Sequence, residues 1–283
     1  MDILVQDLRY TFRTLGRDRG FTLIAVLILA LGIGANVAVF SVVNTLWLRP
    51  LPLHDPQQLV WIAPAEGRSG LSSLTYSVDA YQEFQNQNRS FQDVTAYFAF
   101  FGDDYKLTGY GEPRPLSGIN VAGNFFPALG VVPLLGRSFT PDECRKNGRP
   151  AVLLAYAFWQ RQFAADPGIV GRAIGLNGQP VTVVGVLPPT FDFGSIFSPG
   201  TKVDVYVPAN LEEMRDWGNT LSLIGRLKAG VSMAQAQAEA DTLAPRLHFN
   251  LKHPEWGRGY ITRLSYTLSL ASGCITVNSF FSY

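Results

Sequence analysis

Few residues in this chain of 283 have the types and spacing that chemistry requires. The histidines His54, His248 and His253 would be the first metal ligands or general bases to consider. No Cys, Asp or Glu stands at the spacing of a zinc motif around them, and His248 and His253 read as solvated. Asp103-Asp104 and Asp142-Glu143 are adjacent acid pairs in loop sequence, which suits solvent-facing or helix-start charge. No G-x-S-x-G elbow presents a nucleophilic serine. No G-x-x-x-x-G-K-[ST] loop occurs, so the chain is not expected to hydrolyse ATP by itself. Gly168, Gly171 and Gly175 lack the strand-to-helix setting of a phosphate cradle and read as turn residues. Trp159, Phe163 and Phe193 read as core. Cys144 and Cys274 sit in unlike contexts; a bridge between them is possible outside the cytoplasm, but two residues make no disulfide framework. The expectation is a chain without catalytic residues, metal or cofactor.

The elements that would position any site start with Phe21–Leu48, FTLIAVLILALGIGANVAVFSVVNTLWL, which contains no Asp, Glu, Lys, Arg, His or Pro. A helix of that length rises about 42 Å, against a hydrocarbon core of about 30 Å. It is too long for the apolar region of a cleaved signal, so it is expected to be a retained transmembrane helix. Ala30, Gly34, Ala38, Ser41 and Thr45 share one face of it, a small-residue stripe of the kind that lets helices approach closely in lipid. Asn36 and Asn44 would prefer protein partners at membrane depth. Residues 1–20 precede it, with Ile3, Leu4, Leu8, Phe12 and Leu15 at helical spacing, and read as an amphipathic helix on the cytoplasmic surface. Arg9, Arg13, Arg17 and Arg19 lie before the span and only Arg49 lies close after it. That asymmetry places the N-terminus in the cytoplasm and the rest outside, in the periplasm where the cell has two membranes. The formal charge of +1 and scattered cations give no nucleic-acid footprint.

After Arg49-Pro50-Leu51-Pro52 ends the helix, short strands and helices alternate. Strands are expected at 58–64, 94–101, 105–108, 114–121, 151–154, 173–176, 180–187, 203–207 and 221–227. Helices are expected from Val78 to about Gln87 behind a Ser77 cap, at 123–129, at 156–163, and from Met233 to about Leu247, the last opened by a Ser232/Gln235 capping box and shortened by Pro245. Residues 133–141 read as loop. Asn177-Gly178 between two β-rich runs is a hairpin signal. Strands mixed with helices in this order predict α+β subdomains.

Several ordered stretches carry a family resemblance. They include Gly20-Phe21-Thr22, Leu31-Gly32-Ile33-Gly34-Ala35-Asn36 and Asn124-Phe125-Phe126 with Leu129-Gly130-Val131. Further on come Arg149-Pro150-Ala151-Val152-Leu153-Leu154, Ala157-Phe158-Trp159-Gln160-Arg161, Leu176-Asn177-Gly178-Gln179 and Arg226-Leu227-Lys228-Ala229-Gly230-Val231-Ser232. Over roughly residues 1–260 the set resembles the first half of a permease of the MacB/FtsX type, in the bacterial orphan-permease group. The resemblance implies a transmembrane helix at 21–48 and a MacB-like periplasmic core domain at 49–262, with a porter-like α+β lobe and a mainly β lobe. It further implies a non-catalytic inner-membrane subunit of an ABC efflux or export system that carries the motion of an ABC ATPase, encoded separately or fused, to the periplasmic domain. Partners would be that ATPase, a second copy or another permease through the membrane helices, and a periplasmic adaptor. The family continues with further membrane helices, whereas residues 263–283 form a polar and apolar tail too rich in Ser and Thr for a span. Two alternatives stand: a truncated permease fragment without transport activity, and a membrane-anchored extracytoplasmic binding or enzymatic domain.

Overall fold

The computed structural model describes residues 19–43, 53–64, 75–198, 200–247 and 262–266, with backbone alone at Arg19, Phe21, Ala25, 38–43, Pro64, Asp103 and 262–266. Helix α1 (Arg19–Val43) covers most of the expected span as one run of 25 residues. Its described side chains from Leu23 to Val37 are exposed, Leu31 to 75 % and Ile28 to 67 %. Among the described residues no helix is long and apolar enough to cross a membrane. The side chains of Phe21, Ala25 and 38–43 are outside that set, as are residues 1–18, with the expected surface helix, and 44–48. The chain divides into two units, one containing α1 and the other spanning Leu51–Ser269.

The second unit is built on two β-α-β halves. The first is β1 (Leu59–Pro64), α2 (Val78–Gln87) and β2 (Phe91–Phe98). The second is β10 (Leu221–Leu227), α7 (Met233–Leu243) and β11 (Thr262–Tyr266). Their strands lie in the order β11-β1-β10-β2, each neighbour antiparallel, which is the split βαβ arrangement. Local chemistry sets the helix ends. The Ser77 hydroxyl accepts from Ala80 N at 3.2 Å. Ser232 and Gln235 close a capping box, with Gln235 Oε1 accepting from Ser232 N at 2.9 Å. α7 stops at Leu243 and tightens into a 3-10 turn over Ala244–Arg246, because Pro245 has no N–H to continue it.

Alternation gives this sheet two buried faces. Val60, Ile62, Val94, Ala96, Leu221 and Leu223 face α2 and α7 and pack on Tyr81, Phe84, Ala236 and Ala240. Leu59, Tyr97 and Ile224 face the other way, into an aromatic cluster.

A second lobe is inserted between β2 and β10. It contains β3 (Gly102–Thr108), β4 (Arg114–Val121), β5 (Leu135–Gly136), β6 (Ala151–Leu154), β7 (Ala173–Leu176), β8 (Gln179–Val186) and β9 (Val205–Pro208). Pairing runs β4-β3-β7-β8-β6-β9, and β9 returns to β4 in parallel, so six strands close into a ring; closure removes exposed edges. The β7–β8 hairpin turns on Asn177-Gly178 at φ 50 and 78. Asn177 Oδ1 accepts from Lys106 N at 2.7 Å and ties the turn to β3. Val152, Leu154, Ile174, Val183 and Val205 pack with Phe158 and Trp159 of α4 (Tyr156–Phe163).

Some boundaries differ from expectation. β2 runs 91–98 and not 94–101, because Phe91 pairs with Leu227 and the chain turns off the sheet after Phe98. β9 lies at 205–208, two residues later than its expected start. Residues 135–136 pair with β8 inside what reads as loop. Helices α3 (Phe125–Leu129), α5 (Phe193–Phe197) and α6 (Leu211–Met214) each span little more than one turn; α3 was expected, whereas α5 and α6 have too few residues for a periodic signal. The expected tail boundary at 262/263 falls inside β11, whose backbone pairs with β1 from Val60 to Pro64; residues 267–283 lie outside the described set.

Candidate functional site

The residues read from sequence as possible chemistry do not converge. His54 is exposed and pairs with Asp55 at 3.4 Å; His248 and His253 are outside the described residues. Glu143 closes a capping box on Thr140 and takes a bidentate pair from Arg137 at 2.6 and 3.0 Å, while Asp142 pairs with Arg145 at 3.1 Å, so both are helix-start charges. Burial alone would raise the Glu143 carboxyl, but Arg137 and the Thr140 N–H outweigh it and hold it below its ordinary value. Asp104 is exposed at the start of β3. Cys144 is a free thiol, half-buried, its pKa raised chiefly by burial; Cys274 is outside the described residues. Gly168 lies in a 3-10 helix over Pro167–Ile169, Gly171 in the turn after it and Gly175 in β7. Among the described residues no group of His, Cys, Asp and Glu could hold a metal ion.

Of the small-residue face, Ala30 and Gly34 are exposed on α1, and a side chain at Gly34 would meet nothing within 4 Å. Ala38 and Ser41 lie on the same helix with side chains outside the described set, and Thr45 and Asn44 are outside it altogether. Asn36 donates to the Gly32 carbonyl of its own helix at 3.0 Å.

What the fold does bring together is a joint. Leu53, ten residues past the end of α1, is 7 % exposed and belongs to the aromatic cluster between the lobes. The centre of that cluster is Tyr97 on β2. Its ring lies 5.2 Å from Phe193, 5.9 Å from Phe197, 6.1 Å from Phe125 and 6.3 Å from Trp61, mostly edge-to-face. β1 and β2 of the first lobe thereby grip α3 and α5 of the second. Burial raises the Tyr97 hydroxyl pKa well above its ordinary range, against a lowering hydrogen bond with Ser222.

Beside Leu53, the chain at His54 lies on the C-cap of α3. Gly130 holds φ 70, and a Cβ there would stand 2.5 Å from His54 Cβ and 3.6 Å from Arg226 Nη2. Only a glycine permits both this left-handed cap and this approach. Arg226, on β10, is 5 % exposed, and its Nε donates to the Ala128 carbonyl at 2.7 Å. Burial lowers its pKa, and Asp55 and Asp93 act in the opposite sense. Asp93 is the cross-strand partner of Arg226 and accepts from Asn124 Nδ2 at 3.4 Å. Sequence reasoning passed over Gly130, Asp55, Tyr97 and Arg226 as site residues. The one available signal was an arginine inside the otherwise uncharged and mostly apolar strand LSLIGRL, which implies a buried cation with a dedicated acceptor.

This frame defines a two-lobed α+β domain, a split βαβ lobe carrying a strand-rich insertion. The chain belongs to the MacB-like periplasmic core domain family, whose model matches residues 22–243. Three solved structures share the fold. The periplasmic region of MacB from Actinobacillus actinomycetemcomitans is 14 % identical, over 80 % of this chain and 95 % of its own, at a TM-score of 0.54. A domain of a permease protein from Porphyromonas gingivalis is 14 % identical over 76 % and 92 %, at 0.52. The extracellular domain of the noncanonic ABC-type transporter YknZ from Gram-positive bacteria is 16 % identical over 73 % and 99 %, at 0.50. No curated protein matches the chain.

Proposed function

We propose that the chain is a non-catalytic permease subunit of an ABC-type export system, and that it carries the motion of a partner ATPase through α1 to its extracytoplasmic domain. In this reading α1 and the apolar residues after it cross the inner membrane, residues 1–20 contact the ATPase on the cytoplasmic side, and residues 49 onward stand in the periplasm. The small-residue face of Ala30, Gly34, Ala38, Ser41 and Thr45 packs against a second copy or another permease. The observation that carries the reading is Leu53. Ten residues after α1 in sequence, the chain is buried in the cluster that grips both lobes, so in this reading residues 53–55 are where movement reaches the lobe junction.

The test has two arms. In a Cys144→Ser/Cys274→Ser background, single cysteines at Thr14 and at the exposed Ser195 are challenged with an impermeant maleimide on intact spheroplasts. Labelling at 195 and protection at 14 until lysis is expected; equal labelling of both sinks the topology. Membranes are then solubilised gently and the chain is purified with its partners. Recovery of an ATPase that is lost on deleting residues 1–18 is expected. Recovery of none, or of one indifferent to that deletion, refutes the coupling.

A further inference from the structure

Arg226 is buried beyond nine-tenths, yet among the described residues only its Nε has an acceptor; Nη1 and Nη2 are equally buried and no described group accepts from them. A buried guanidinium normally has a carboxylate on its fork, because leaving it unpaired forfeits the attraction that offsets its desolvation. Two carboxylates are near enough to act on it electrostatically, and neither forms an ion pair with it. Asp93 is fixed in β2 by the sheet and by Asn124. Asp55 is not fixed in this way. It occupies a turn at a left-handed φ of 43, its side chain is 48 % exposed, and it rests on the imidazole of His54, itself 74 % exposed. His54 and the guanidinium border the same spot, since a Cβ on Gly130 would stand 2.5 Å from His54 Cβ and 3.6 Å from Arg226 Nη2, and Asp55 is the next residue along.

We infer that Asp55 has two seats, the exposed His54 imidazole and the buried fork of Arg226, and that it changes seat when the 53–55 segment is displaced. Arg226 then receives the displacement of residues 53–55 and passes it through the Ala128 carbonyl to α3 and so to the second lobe. The link to movement rests on the proposed transmission role; the second seat itself does not.

The test is a double-mutant cycle on the full chain in nanodiscs, read as the thermal midpoint of the tryptophan signal. Asp55→Asn, Arg226→Met and the pair are compared, first with His54 present and then with His54→Gln, which removes the outer seat. The two single losses are expected to fall short of adding by about 2–4 °C, and the shortfall is expected to grow with His54→Gln. Strict additivity in both backgrounds overturns the inference and leaves Arg226 a purely structural residue. If Arg226→Met does not fold, Arg226→Lys keeps the charge without the fork and serves in the same cycle. Topology is read separately by maleimide labelling, so failure of α1 to cross a membrane and failure of the second seat give different results.

Discussion

Gly130→Ala measures how firmly the chain leaving α1 is seated. Two costs fall on this methyl group. The first is conformational: at φ 70 an L-residue loses roughly 1–2 kcal/mol. The second is steric, since the new Cβ would lie 2.5 Å from His54 Cβ, which is no flexible chain end and can move only with its backbone. Overpacking of this kind typically costs about 1–3 kcal/mol. Gly178→Ala separates the two, because Gly178 holds φ 78 in the β7–β8 turn with nothing within 4 Å of its Cβ position. Gly178→Ala is expected to lose about 1–2 kcal/mol and Gly130→Ala about 2–5 kcal/mol in urea unfolding of the purified chain. In the double variant, His54→Gly removes the atom struck and should return Gly130→Ala to the level of Gly178→Ala, after subtraction of the effect of His54→Gly alone. Equal losses for the two alanine variants, or no recovery in the double variant, would show that residues 53–55 are not held on the α3 cap. The mechanical reading of the joint would fall with them.

Phe193→Ala, at a fully buried ring 5.2 Å from Tyr97 and 5.1 Å from Phe197, is expected to cost about 3–5 kcal/mol in a single urea transition, and two separated transitions would show that the lobes unfold independently. The Glu143 carboxyl is lowered in the fold, so its contribution to stability is present above its ordinary value of 4.5 and is lost as pH falls through the lowered one. The stability gap between the native chain and Glu143→Gln should therefore close in acid, below about pH 4.5; a gap unchanged down to pH 3 contradicts the ion pair. In alkaline titration at 295 nm, Tyr105 should ionise late, pushed up to about 12 chiefly by burial against a lowering bond to Asn120, and Tyr81, Tyr97 and Tyr206 should stay silent until the fold is lost. All 11 tyrosines ionising together near 10 would refute the burial of these four.

The elements that sequence patterns located correctly are those fixed by local chemistry. α2 starts where Ser77 can cap it, α7 starts at the Ser232/Gln235 box and stops before Pro245, and the β7–β8 hairpin turns on Asn177-Gly178. These signals act over four or five residues and are complete within the chain segment that carries them. The errors lie where distant pairing decides. β2 starts at Phe91 because Leu227, more than a hundred residues later, lies beside it. β5 exists because β8 supplies its partner. The joint was hidden for the same reason, since Gly130, Arg226 and His54 are ordinary residues until three separate elements meet.

The way the second lobe is inserted gives the joint its weight. The insertion leaves the first lobe after Phe98 and returns at Leu221, and these two residues are themselves cross-strand partners. The two connections are therefore side by side and could by themselves act as a hinge. Rotation about that hinge is resisted by the β2–β4 pairing at Tyr97 and Val121 and by the aromatic rings around Tyr97. Leu53 enters this same cluster. A pull on residues 53–55 would thus load the packing that sets the angle between the lobes, rather than a loop at their periphery. Interdigitated rings have discrete low-energy arrangements, so the junction is expected to answer such a pull by stepping between packings. Arg226 on β10, bonded to α3 through Ala128, spans the same junction from the other side, which is why a change of partner at Asp55 would be felt by both lobes.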